Sequence, residues 1–62
     1  MPEQTQTAVN WALQQSFNVD GITITISKDC RIELIDKVRE YFTTHNIECA
    51  PMSYTDLIPY LS

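Results

Sequence analysis

The chain's single glycine, Gly21, follows Asp20, and the pair stands between two runs of alternating apolar and polar residues. Asp-Gly supplies the positive φ angles that a two-residue type I′ turn requires. Ser16, Phe17, Asn18 and Val19 precede it; Ile22, Thr23, Ile24, Thr25 and Ile26 follow. A turn of that length sets Val19 against Ile22 and Phe17 against Ile24. Those four then share one face with Ile26, while Asn18, Thr23 and Thr25 share the other. The competing reading continues a first helix through Phe17 and leaves one strand over 22–26.

A hairpin is not stable alone in water, so other elements must cover its apolar side. Residues 5–14 predict a helix, with Val9, Leu13 and Phe17 spaced by four and Ala8 and Ala12 beside them. Thr5 or Thr7 is the expected cap. Residues 28–45 predict a longer helix, capped by Ser27 or Asp29. Cys30, Leu34, Ile35, Val38, Tyr41, Phe42 and His45 fall within an arc of about 140°, a stripe expected to face the core. Glu33 and Lys37 form a favourable pair four residues apart. His45 and Asn46 end this helix, Asn tolerating a left-handed cap with Ile47 folding back. Residues 47–50 predict a short edge strand stopped by Pro51. Ser53 then caps a short last helix over 54–58, with Asp56 in its first turn and Pro59 ending or kinking it. The apolar tail, Leu57 to Leu61, is expected to dock on the core or on a neighbour. The result is an α+β fold: helix, β-hairpin, long amphipathic helix resting on the sheet, short edge strand and short C-terminal helix.

At 62 residues the chain holds one small domain. A chain this size buries only about 60% of its unfolded surface, and small domains often gain stability from disulfides, metals or association. Cys30 and Cys49 are the only cysteines, and residues 1–7, without a basic residue or an apolar run behind them, do not resemble a secretory signal. Free thiols in a reducing, cytoplasmic setting follow, with self-association as the more natural stabiliser. No apolar stretch is long enough for a membrane span.

Eight acids face four bases, for a net charge of −4. The bases Lys28, Arg31, Lys37 and Arg39 all fall in one twelve-residue window. Such a balance favours a basic protein surface as partner and argues against nucleic acid, whose binding depends on neutralising phosphates. On the long helix Asp29, Glu33, Asp36 and Glu40 project within about 60° of each other, opposite the apolar stripe. The row spans about 16 Å at ~1.5 Å per residue. It can steer and dock a basic partner, or it can be a solvated helix face. Trp11 lies beside the apolar stripe of an uncharged helix, which suits an interface or the edge of the core.

Little else supports catalysis. Cys30 falls in the expected first turn of the long helix, where thiol pKa values drop. The stretch from Ile24 to Cys30, the helix after it and then His45-Asn46-Ile47-Glu48 resemble in layout the first strand-helix-strand unit of glutaredoxins. That resemblance implies a thiol role for Cys30, although Glu33 stands where a second cysteine would be needed. Residues 21–27, with Met52 to Ile58, resemble ribbon-helix-helix DNA-binding proteins in outline. The implied role is a DNA-binding dimer with Thr23 and Thr25 facing the groove. The intervening stretch is longer than that pattern allows, and the strand's polar face carries no Arg, Lys, Asn or Gln. Cys30, His45 and Cys49 make at most half of a zinc site. The expectation is therefore a non-enzymatic interaction module without cofactor, an inhibitor or regulator docking a basic partner through Asp29, Glu33, Asp36 and Glu40. Trp11 and the apolar tail would serve self-association into a homo-oligomer.

Overall fold

A computed structural model describes residues 2–61 and has the α+β architecture. Helix α1 covers Pro2–Ala12, strands β1 and β2 cover Ser16–Val19 and Ile22–Thr25, and helix α2 covers Arg31–Thr44. A 3₁₀ helix, Tyr54–Tyr60, closes the described chain.

Helix α1 begins three residues before the predicted start. Proline fits the first helical position because the amide it lacks has no partner there, and Glu3 in the first turn suits the helix dipole, so the helix is not the uncharged one expected. The candidate cap Thr7 instead lies inside the helix, its hydroxyl donating to the Glu3 carbonyl at 2.9 Å. Helix α1 also stops two residues early. The Gln14 and Gln15 amides bond three residues back, to Trp11 and Ala12, which tightens the exit into the hairpin.

The hairpin has the expected register, Phe17 opposite Ile24 and Val19 opposite Ile22. Asp20 and Gly21 take φ values of 51° and 85°, and the Asn18 side chain accepts the Gly21 amide at 2.9 Å. What covers the hairpin differs from expectation. The long helix does not rest on the sheet: α1 and α2 pack on each other, the 3₁₀ helix packs on both, and the strands share few contacts with any helix. Ala8 and Ala12 are the reason. Their small side chains let α1 lie close to the Leu34, Val38 and Phe42 row of α2, and Leu57 and Ile26 complete the buried core. Phe17 reaches that core, but Val19, Ile22 and Ile24 remain 40%, 65% and 37% exposed. The hairpin is an arm anchored at its base, where the Ile26 amide donates to the Gln15 carbonyl at 2.9 Å.

Helix α2 opens on Cys30. Neither Ser27 nor Asp29 supplies the cap, and no side chain bonds the first amides. The Ser27 carbonyl instead accepts the Cys30 amide, so a turn delivers the chain into the helix. At the other end the Ile47 amide reaches Phe42 and the Asn46 amide reaches Thr43, with Asn46 at φ 54°. This pattern is a Schellman motif, and Ile47 packs on the core behind it.

The predicted edge strand over 47–50 does not form; among the described residues the sheet has two strands. Cys49 adopts φ 64°, which an extended strand cannot accommodate. The last helix begins after Ser53, though through the Asp56 amide on the Ser53 carbonyl rather than through the serine side chain. It also passes through Pro59 to Tyr60, because a single missing amide is tolerated in one short 3₁₀ run. The tail docks on the core, the first of its two expected places, with Leu57 fully buried and Tyr60 and Leu61 packed against it. Of the side chains Leu57, Ile58, Tyr60 and Leu61, expected to serve self-association, only Ile58 stays well exposed, at 54%.

Candidate functional site

Three of the four proposed carboxylates, Glu33, Asp36 and Glu40, lie on α2 at spacings of three and four, so they share one face. That face is opposite the buried Leu34–Val38–Phe42 row by the same periodicity. Asp29 lies just outside the helix, in the turn before Cys30, and extends the row by loop geometry rather than helical pitch. Asp29, Asp36 and Glu40 are exposed and Glu33 is half-buried.

The neighbouring bases leave most of these carboxylates without a counter-ion. Arg39 turns away, its Nη1 donating to the Pro51 carbonyl at 2.7 Å and meeting the Met52 sulfur at 3.1 Å. Arg31 places its guanidinium 5.1 Å from the centre of the Tyr54 ring. Lys37 pairs with Glu40 at 3.5 Å instead of with Glu33, as the sequence spacing suggested. This is the one ion pair among the described residues. It is an exposed contact of small energetic value, so it trims the face rather than neutralising it. The two arginines have been recruited to hold the segment after α2, where backbone carbonyls and an aromatic ring offer better geometry than a flexible carboxylate.

Trp11 is half-buried on the seam between α1 and α2. Its ring tilts 49° against Tyr41 at 5.7 Å between centroids, and Tyr41 stacks on His45 at 4.0 Å. The His45 ring nitrogen Nδ1 sits 2.9 Å from the Tyr41 carbonyl, a local helix-end contact. Trp11 therefore belongs to a ladder of aromatic rings bordering the core, on a different element from the carboxylates.

Cys30 is half-buried with its sulfur 3.7 Å from the Ser27 hydroxyl, and Cys49 is exposed; both are free thiols. Among the described residues no three His, Cys, Asp or Glu side chains gather as a metal-holding group. No described helix is long and apolar enough to cross a membrane. Strand β2, which the ribbon outline would place in a groove, is paired along one edge with β1 of its own chain.

Two features lay outside the sequence reading. An open cleft of about 300 Å³ lies between the start of α1 and the end of α2, lined by Glu3, Gln4, Thr7, Tyr41 and Ile47. Glu3 is its one carboxylate, and Pro2 was the signal that α1 begins early enough to bring Glu3 there. The other is the open apolar side of the hairpin, whose signal was the absence of charge from both strands. Comparison with protein-family models, with curated proteins and with solved structures gives no match for this chain.

Proposed function

We propose that this protein is a non-enzymatic interaction module, an inhibitor or regulator that docks a basic protein surface on the outer face of α2. The observation that carries this reading is the diversion of both arginines to Tyr54 and to the Pro51 carbonyl. Glu33 and Asp36 stay without an ion pair although four bases lie within the same stretch of chain. Unpaired carboxylates on a rigid helix steer a basic partner and set its register, with an attraction that salt screens over roughly 10 Å.

The test is an NMR titration with a lysine- and arginine-rich peptide at low ionic strength. Amide shifts are expected at Asp29, Glu33, Asp36 and Glu40. They should be small at Glu3, Asp20, Glu48 and Asp56, the other four acids. The double variant Glu33→Lys, Asp36→Lys should weaken binding at least about tenfold, equivalent to ~1.4 kcal/mol. Equal shifts at all eight acids, or affinity indifferent to salt and to charge reversal, would overturn the reading.

A further inference from the structure

The outer edge of β2 carries a second interaction surface. Val19 and Ile22 flank a two-residue turn, and such a flanking pair exchanges its backbone hydrogen bonds. Bonding toward β1 then recurs at every second residue, at Ile22 and Ile24, and the Ile26 amide continues it by reaching Gln15. The amides and carbonyls of Thr23 and Thr25 therefore point away from β1. Among the described residues no backbone bond outside the ladder involves either of them. All four residues of β2 are exposed, so this edge is open to solvent.

Monomeric proteins protect such edges with lysine, proline or a bulge. The Ile-Thr-Ile-Thr edge has none of these, and its one protection is its length of four residues. Its apolar face is also uncovered toward the tip, at Val19 and Ile22.

We infer that β2 pairs antiparallel with β2 of a second copy of this chain, across a two-fold axis at Ile24. The sequence Ile22-Thr23-Ile24-Thr25-Ile26 reads the same in both directions, which favours a second copy as the antiparallel occupant, and charge permits it. Two copies that each carry −4 approach most easily where charge is absent, and Asp20 at the tip is the hairpin's only ionisable residue. The residue pattern selects the register. With Ile24 opposite Ile24 of the partner subunit, Thr23 meets Thr25 of the partner subunit twice over, and four outward amides and carbonyl partners are satisfied. On the other face Ile22 lies beside Ile26 of the partner subunit. The uncovered tip of each hairpin thereby reaches the base of the other; Ile26 there is already buried at 2% exposure, so the incoming Ile22 meets the residues that cover Ile26 rather than Ile26 itself. A strand order β1-β2-β2-β1 results, with every apolar residue on one side and every threonine on the other. The contact is small by the standard of permanent dimers, so association on the order of 100 µM is expected.

Sedimentation equilibrium across a concentration series, with hydrogen exchange on the same samples, tests this. Mass should rise toward twice 7.2 kDa, and the Thr23 and Thr25 amides should become protected in step with it. Thr23→Pro removes an outward donor that the intrachain ladder does not use, and Ile22→Lys puts charge on the exposed tip. Each should shift the dissociation constant upward at least tenfold. Should Thr23→Pro fail to fold, Ile22→Lys and the wild-type exchange data decide the matter. Glu33→Lys with Asp36→Lys should leave dimerisation in place, which separates this surface from the α2 face. A chain that stays at 7.2 kDa to millimolar concentration, or a dimer whose Thr23 and Thr25 amides exchange freely, would sink the inference.

Discussion

Four described residues, Asp20, Gly21, Asn46 and Cys49, hold the backbone in the left-handed region, and Gly21 and Cys49 do so under opposite constraints. Gly21 has φ 85°, and a β-carbon there would meet nothing within 4 Å. Replacing it with alanine therefore tests backbone conformation alone. Gly21→Ala should cost about 1 kcal/mol and speed exchange of the Val19 and Ile22 amides about fivefold, which NMR hydrogen exchange reads directly. Cys49, at φ 64°, is a side-chain-bearing residue in a conformation that disfavours side chains, and it is exposed. Cys49→Gly should relieve about 1–2 kcal/mol of left-handed strain, offset in part by about 0.4–1 kcal/mol of added freedom in the unfolded chain, for a net gain of roughly 0.5–1 kcal/mol. A thermal melt should show an increase of a few degrees; a decrease would mean that the Cys49 side chain has a structural use.

At the scale of elements, the 3₁₀ helix matters more than its seven residues suggest, because Leu57 is fully buried against both α1 and α2. Leu57→Ala should cost about 2–4 kcal/mol, against a total of roughly 3–9 kcal/mol for a chain of this length. Chemical denaturation should show a large fall in midpoint. The same element shows where sequence reading succeeds. Leu57 and the tail were legible as a docking segment because apolar residues that close together have few places to go. The hairpin register was legible from Asp20-Gly21, and the α2 terminus from Asn46, because turn and cap chemistry act over a few residues. The cap of α2 was not, since Ser27 and Asp29 qualify equally by residue type and the turn through Cys30 uses neither side chain. The edge strand failed for a similar reason: four residues carry too little pattern to reveal that Cys49 turns left-handed. The carboxylate row was legible from helical spacing. Its lack of counter-ions was not, because Arg39 and Arg31 find partners in a segment twelve or more residues away.

The whole molecule is a little extended for its length. Its radius of gyration is 11.3 Å, against about 10.6 Å for a compact chain of 62 residues. Its principal extents are 36 × 24 × 17 Å. Helix packing explains the shape, since Ala8 and Ala12 draw α1 onto α2 and leave the strands beside the core rather than beneath it. Sequence alone predicted a sheet roofed by the long helix. Both arrangements satisfy the same alternation, and the choice depends on how closely two helices can approach, which no local pattern records. The two proposed surfaces consequently lie on separate parts of the molecule, one polar and rigid, the other apolar and uncharged.

The thin attachment of the arm through Gln15 and Ile26 also makes Asp20-Gly21 a permissive point for insertion. Foreign residues placed there would ride outward on two strands without disturbing the helices, so a reporter peptide or an added epitope should leave the melting of the body almost untouched.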